Sequence, residues 1–221
     1  QGVSSAASDV YKRQVLGASS AIRAGVVTSS TRPSAPYNGQ LIYETDTARL
    51  AAYNGSAWVT QNGLQLITTQ TIGSAVSSVT VSNCFSATYD NYTVVISGGV
   101  SSAATHMTMQ LGSTTTGYYF AGTNAQYGGA SIGIGTSANT SSWYIGRNTS
   151  SALSTTVNIS MPNLASRTTY TATYADTQTS GYVYTIGGFL DNSTQYTAFT
   201  VAPTSGTYTG GTIRVYGYAN N

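Results

Sequence analysis

"TIRVYGY", residues Thr212–Tyr218, alternates apolar and polar side chains, since Arg214 separates Ile213 from Val215. Successive side chains of a β-strand point to opposite faces of the sheet, so this alternation predicts a strand with one buried face. The same pattern, rich in Val, Ile, Thr and Tyr, recurs at short intervals between clusters of Gly, Ser, Asn and Asp. No segment combines a helical period with caps, so the sequence predicts an all-β protein.

About ten runs of this kind follow one another from residue 64 onward: LQLITTQTI, AVSSVTVS, YTVVIS, HMTMQLG, SWYIG, TTVNIS, TTYTATYA, GYVYTIGGF, YTAFTVAP and GTIRVYGY. Many short strands at such spacing are typical of an antiparallel sandwich. We therefore expect residues 64–221 to form a jelly-roll-like β-sandwich. Pro162 and Pro203 mark places where a strand must end, because proline cannot donate a ladder hydrogen bond.

The composition of the 221 residues excludes several classes of protein. Only 6% of the residues are charged, against about 25% in a typical domain. The chain nevertheless contains 18 Tyr, 4 Phe and 2 Trp, which indicates a folded protein with an uncharged polar surface. A net charge of +2 is too small to attract nucleic acid. No apolar run is long enough to insert into a membrane, and the single cysteine, Cys84, excludes an internal disulfide.

The first 31 residues differ from the rest of the chain. "DVYKRQ", Asp9 to Gln14, resembles the translated end sequence of transposase-based sequencing adapters, and it contains Lys12, the only lysine. We therefore interpret residues 1–14 as adapter read-through on a metagenomic fragment whose true N-terminus is missing; a genuine flexible arm is the alternative. Residues 15–31 are small and weakly patterned, which is typical of a linker.

Residues 32–60, which begin "RPSAPYNGQLIYETDTARLAAYNGSAWV", predict a short β-meander. Asn38-Gly39 is a strong turn signal ahead of the first of three short strands, and Asn54-Gly55 is another ahead of the third. Thr45-Asp46-Thr47 can close the turn between the first two strands. Three such strands cannot bury enough surface to be stable alone, so their rings need a partner surface. The residues that we assign to assembly are Tyr43, Asp46, Arg49, Tyr53 and Trp58. Glu44 and Arg32 complete a set of charges that can pair across strands or between chains.

The same stretch resembles a segment that recurs in tail-fibre and other virion structural proteins of tailed bacteriophages. The resemblance rests on Arg32-Pro33, Pro36, Gly39-Gln40, Tyr43, Thr45-Asp46-Thr47, Leu50, Tyr53-Asn54-Gly55 and Trp58. Downstream, "TIGSAVSSVTV", "FSATYDNYTVVISG" and "GGTIRVYGY" are similar to the companion domain of such proteins. The resemblance covers most of residues 32–221 and does not separate a tail fibre from a baseplate or capsid appendage.

The resemblance implies a virion-attached structural protein, made in the bacterial cytoplasm and carried on the extracellular phage particle. It further implies a homotrimer that contacts other virion proteins, with a terminal domain that recognises a glycan on the host surface. A capsid decoration or head-fibre protein without a receptor role is the first alternative. A carbohydrate-active enzyme is the second.

For binding, the sequence points to residues 112–146, the longest stretch dominated by small and turn residues. The candidate ligand-binding residues in it are Tyr118, Tyr119, Tyr127 and Trp143. Aromatic rings beside short polar side chains suit a sugar, and loops on a rigid sandwich commonly carry binding sites. The alternative is that these rings fill the core or a subunit interface.

Catalysis has little support in the sequence. His106, the only histidine, falls on a strand face with Thr108 and Gln110, which favours a polar-face residue over a general base. Glu44 and Asp46 lie at a turn without a companion histidine. We predict no enzyme activity, cofactor or metal. Three aspartates in turns are expected to cap local backbone, with a calcium site as the alternative: Asp90, Asp176 and Asp191.

Overall fold

The computed structural model of the chain describes residues 24–60, 63–129, 132–148, 152–176 and 181–218. Within these ranges the protein forms β-strands and turns without a helix, so the all-β prediction is confirmed. The chain divides into two compact units, Gln1–Gln61 and Asn62–Asn221. The segment that resembles adapter sequence, residues 1–14, lies outside the described residues.

The described residues of the first unit form one four-stranded sheet in the order β1-β2-β3-β4. Its strands are β1 Gly25–Val27, β2 Leu41–Glu44, β3 Arg49–Tyr53 and β4 Trp58–Thr60. Strands β2 to β4 form the predicted antiparallel meander. Strand β1 pairs with β2 in parallel, and the interpretation of residues 15–31 as a linker missed it. A three-residue strand with a non-local parallel partner leaves no alternation in the sequence to detect.

The second unit contains the remaining strands: β5 Leu64–Thr71, β6 Val79–Val81, β7 Asn91–Ser97, β8 Val100–Ser101, β9 Thr105–Leu111, β10 Tyr118–Gln126, β11 Ile132–Thr140, β12 Trp143–Asn148, β13 Ser154–Ser160, β14 Thr169–Ala175, β15 Tyr182–Leu190, β16 Phe199–Pro203, β17 Tyr208–Thr209 and β18 Thr212–Tyr218. The large sheet has the order β11-β10-β15-β14-β13-β7-β18-β5, and the small sheet has the order β12-β9-β16-β6. Strands β8 and β17 form a separate pair.

One hydrophobic core joins the two larger sheets of the second unit. Met109 and Phe199 of the small sheet are fully buried in the same cluster as Val94, Val157 and Ile213 of the large sheet. Burial of one such side chain is worth about 1.5–3 kcal/mol, whereas an exposed ion pair is worth about 1 kcal/mol or less. The shared core therefore stabilises this unit as a β-sandwich. The finer jelly-roll topology stays a prediction.

The sequence prediction was wrong about most of residues 112–146, which it treated as a binding loop, although the predicted strand SWYIG at the end of this stretch is confirmed as β12. Most of this stretch is a hairpin of two nine-residue strands, β10 and β11. Its many Gly, Ala, Ser and Asn residues have low strand propensity, which concealed the strands. The backbone nevertheless pairs with β15 along the whole length of β10. The run of three aromatic residues at 118–120 was the sequence signal that could have identified the first strand, in which Tyr118 and Phe120 share the buried face.

Candidate functional site

A cleft of about 280 Å³ lies beside β12, the edge strand of the small sheet. Its lining comes from β9 and β12 of the small sheet and from β10, β11, β14 and β15 of the large sheet. Clefts that combine aromatic walls with a few polar groups are the usual form of a small-molecule site. The lining includes two aromatic groups, a glycine-containing floor, one arginine, and amide and hydroxyl side chains such as Asn124 and Thr136.

The first aromatic group is centred on Tyr144 of β12. The ring of His106 stacks on Tyr144 with 4.3 Å between centroids and 9° between planes, and Phe120 packs on Tyr144 at 5.0 Å. In a regular strand, side chains three residues apart point to opposite faces. A β-bulge between Tyr144 and Gly146 interrupts this alternation. The bulge accounts for the presence of both Tyr144 and Arg147 in one cleft.

The second aromatic group comes from the large sheet. Tyr174 and Tyr184 are direct cross-strand partners on β14 and β15, and their rings stack at 4.6 Å with 19° between planes. Asn124 of β10 is the next partner along the same row, opposite Tyr184. Burial raises the pKa of Tyr174, with a smaller contribution from Tyr184. Tyr174 is only 4% exposed and belongs to the core, so it supports the half-buried ring of Tyr184 from behind. Tyr184 and Asn124 are the members of the row that present a ring face and an amide to the cleft.

The floor of the cleft requires a glycine. Gly122 of β10 lies opposite Ile186 of β15. A Cβ atom at residue 122 would lie 2.6 Å from the carbonyl oxygen of Thr185 and 2.9 Å from Cα of Ile186. Because these are backbone atoms of a paired strand, they cannot move aside cheaply. Glycine at this position keeps the two strands close and leaves the floor free of a side chain.

Arg147 is the charged member of the described lining, and its charge is balanced by Asp176. Nε of Arg147 lies 3.0 Å from Oδ2 of Asp176, whose side chain is only 1% exposed. The N–H of Nε is not aligned with an acceptor as a hydrogen bond requires. The contact is therefore an ion pair that leaves Arg147 imperfectly satisfied. Nδ1 of His106 is also buried without a hydrogen-bond partner.

His106 makes the stability of the protein sensitive to mild acid. Burial, followed by the positive charge of Arg147, lowers the pKa of His106 below its ordinary value. As the pH falls from about 7 to 5, the unfolded chain binds a proton that the folded protein resists, so stability should fall. For one proton the slope is at most about 1.4 kcal/mol per pH unit.

Denaturant unfolding at several pH values measures this slope, and His106→Phe supplies the control because it keeps an aromatic ring against Tyr144. The variant should lose most of the slope in this window. The pKa of Glu44 is lowered chiefly by its hydrogen bond with Arg32, so that carboxylate affects stability only at lower pH. An equal slope in His106→Phe would show that His106 is not the group responsible.

The structure separates the four residues that the sequence assigned to ligand binding. Tyr118 and Trp143 are fully buried in the core, where their rings meet edge to face at 5.1 Å. Nε1 of Trp143 donates to the carbonyl of Phe189 at 3.2 Å, and the hydroxyl of Tyr118 accepts from the backbone N–H of Leu111 at 2.7 Å. A fully buried ring offers no face to a sugar, so the assignment of these two residues to a binding surface is corrected.

Tyr119 and Tyr127 lie outside the lining of the cleft. Tyr119 points away from the core and stacks on Phe189 at 5.0 Å. Tyr127 is 39% exposed next to the hairpin turn between β10 and β11. The sequence prediction that these two rings contact a ligand therefore concerns a surface other than the cleft.

The assembly residues of the first unit lie on two faces of its sheet. Tyr53 and Trp58 are cross-strand partners with centroids 5.4 Å apart. They share a face with Arg49 and the buried Ile42, whereas Tyr43 points to the opposite face. The carboxylate of Asp46 accepts hydrogen bonds from the N–H and hydroxyl of Ser29, at 2.9 and 2.5 Å.

Acidic groups elsewhere pair within the chain. Arg32 Nε lies 2.5 Å from Glu44, and Arg167 lies 2.6 Å from Asp191. Asp176 and Asp191 thus pair with arginines, whereas the sequence predicted that they cap local backbone.

Among the described residues, no three His, Cys, Asp or Glu side chains are grouped to hold a metal. The part of the chain that is described contains no apolar helix of membrane-spanning length.

Sequence reasoning missed most of the residues that line the cleft. His106 does share the polar side of β9 with Thr108, as predicted, but the ring of Tyr144 beside it was not anticipated. The runs that contain Tyr174 and Tyr184 were identified as strands. The sequence around Tyr174 and Tyr184 does not indicate that these two strands are neighbours or which of their residues lie opposite each other.

Comparison of the chain with models of protein families and with curated proteins finds no match.

Proposed function

We propose that this chain is a structural protein of a tailed-phage virion, a tail fibre or tail-tip component, whose second unit binds a host-surface glycan. The observation that carries the binding role is the cleft beside β12. Its half-buried aromatic rings, Tyr144 and Tyr184, are interspersed with amide and hydroxyl side chains such as Asn124 and Thr136. Sugars present apolar C–H faces and hydroxyl groups, and this combination matches both.

The geometry favours binding over hydrolysis. Glycosidases use two carboxyl groups roughly 5–10 Å apart across the scissile bond. The described lining of the cleft contains no carboxylate, and Asp176 is held in its ion pair with Arg147. A sugar in this cleft would therefore meet stacking and hydrogen-bonding groups without an acid–base pair.

The first unit supports an assembly role. One face of its sheet, the exposed apolar face, consists of large hydrophobic side chains that are each 38–51% exposed: Val26, Leu41, Tyr43, Leu50 and Val59. Cross-strand pairing places them side by side, with Tyr43 next to both Val26 and Leu50. Contiguous exposed apolar patches are typical of protein–protein contacts. We assign this face to association with further copies of the chain, as a homotrimer in the virion.

The test of the binding role is a printed saccharide array probed with the full chain and with Tyr144→Ala. Loss of an aromatic contact worth about 1.5–3 kcal/mol should weaken binding roughly ten- to a hundredfold. Thermal melting would verify that the variant folds. Asn124→Ala gives a second variant that removes only an amide from the same cleft, and we expect a smaller loss.

Tyr119→Ala and Tyr127→Ala are the matched controls, since both remove a tyrosine outside the cleft. We expect both to bind as the parent chain does. Loss of binding in these variants alone would move the site to the outer face of the hairpin. If no saccharide binds the parent chain, the receptor role fails and the capsid-decoration alternative gains support.

A further inference from the structure

The charge balance of the cleft narrows the class of sugar that it can accept. Arg147 is paired with the carboxylate of Asp176 at 3.0 Å, and the described lining holds no other ion. Burial and Arg147 together lower the pKa of His106, which is therefore neutral at neutral pH. The cleft thus has a net charge near zero, although it contains a guanidinium group.

We propose that the cleft selects an uncharged pyranose, that Asp176 enforces this selection from behind the lining by cancelling the charge of Arg147, and that Nδ1 of His106 hydrogen-bonds one sugar hydroxyl. This inference rests on the proposed function, because it names the class of glycan that the same site binds.

The cleft would disfavour an acidic sugar because its carboxylate is costly to desolvate. Its carboxylate would lose water on entering the cleft, which costs several kcal/mol unless a cation compensates. Arg147 is the cation in the described lining, and the buried Asp176 already shares its charge. Two carboxylates would then compete for one guanidinium. The ammonium group of an amino sugar would be repelled by Arg147, and the described lining offers no carboxylate to pair with it. The cleft therefore disfavours a cationic ligand as well.

Neutral hydroxyl groups suit the polar atoms that the structure leaves unsatisfied. Nδ1 of His106 and Nε of Arg147 are buried without a hydrogen-bond partner, and an unmade bond of this kind costs about 1–3 kcal/mol. A neutral imidazole nitrogen can donate or accept according to its tautomer, and a hydroxyl can take either complementary role. The stack of His106 on Tyr144 fixes the imidazole plane, so one hydroxyl position is selected.

The volume of the cleft sets the size of the ligand. At about 280 Å³ it lies near the lower limit of small-molecule sites, which span about 300–1,000 Å³. We therefore expect the cleft to hold one sugar ring of a longer glycan, with the remaining rings outside.

Matched pairs of sugars test the selection directly. The probes are the methyl pyranosides of glucose, galactose and mannose, each beside the uronate in which its C6 alcohol is a carboxylate, together with glucosamine. Calorimetric titration of the full chain should give a Kd about tenfold or more lower for the neutral member of whichever pair binds. A uronate or glucosamine that binds more tightly than its neutral counterpart would overturn the inference and leave the glycan-binding role intact.

Two variants assign the selection to particular residues. Asp176→Asn keeps the size of the side chain and frees the charge of Arg147, so the ratio of neutral to acidic affinity should fall by about tenfold or reverse. If Asp176 were only structural, Asp176→Asn would weaken the binding of the neutral and the acidic sugar equally, and this result would contradict the proposal.

His106→Phe keeps a ring against Tyr144 and removes the nitrogen, so binding of the neutral sugar should weaken about tenfold. Unchanged affinity would exclude the hydrogen bond from His106. If no member of any pair binds while the printed array shows no saccharide either, the proposed function itself fails.

Discussion

Replacement of Gly99 by alanine is expected to prevent the second unit from folding. Two glycine pairs, Gly98-Gly99 and Gly210-Gly211, face each other where the chain leaves β7 and enters β18, and all four glycines have positive φ. A Cβ atom on Gly99 would overlap the carbonyl oxygen of Gly210 and lie 2.8 Å from that of Thr209. Both oxygens belong to backbone next to paired strands, so the clash cannot be relieved by a rotamer change.

The matched control for this substitution is Gly128→Ala. Gly128 has the same φ of +70° as Gly99, but nothing lies within 4 Å of its Cβ position. Alanine there should cost only the backbone strain of about 1–2 kcal/mol, whereas the overlap at Gly99 should cost more than about 4 kcal/mol. Soluble yield and denaturant unfolding measure both variants. Equal stability of the two would show that the glycine pairs do not approach as described.

Leu50→Asp is expected to abolish self-association and leave each unit folded. Leu50 is 45% exposed at the centre of the exposed apolar face, beside Tyr43. A carboxylate in a closed interface would be buried without a partner, which costs several kcal/mol in each subunit and accumulates in a symmetric assembly. Light scattering of the full chain at micromolar concentration should change from a trimer to a monomer, with the circular dichroism spectrum preserved.

Val183→Asp supplies the control for this charge. Val183 is 42% exposed on β15 of the second unit, so the substitution adds the same charge at a similar exposure away from the exposed apolar face. It should leave the oligomeric state unchanged. A parent chain that is a stable monomer at this concentration would contradict the assembly role, whatever the variants do.

The parts of the fold that sequence reasoning predicted are those with a strong local signal. Val79–Val81 and Thr212–Tyr218 combine β-branched residues with alternation, and both are strands with one buried face. The signal failed for β1, which has three residues, and for the Gly- and Ala-rich hairpin of β10 and β11. In these strands the backbone pairing with neighbours, rather than side-chain propensity, determines the structure.

The cleft could not be predicted because it depends on non-local register. Tyr174 and Tyr184 stack only because β14 and β15 pair with these residues opposite each other. Arg147 and Tyr144 share the cleft because a bulge adds one residue between them, and a bulge leaves no clear trace in a single sequence. Conversely, Trp143 was an attractive ligand contact in the sequence, and the structure places it in the core.

The most direct test of the binding role is a crystal structure of the full chain soaked with the neutral pyranoside of lowest Kd. We predict a sugar ring beside β12, stacked against Tyr144 or Tyr184, with one hydroxyl within hydrogen-bonding distance of Nδ1 of His106. Density for the sugar on Tyr119 or Tyr127, with the cleft filled by water alone, would contradict the account.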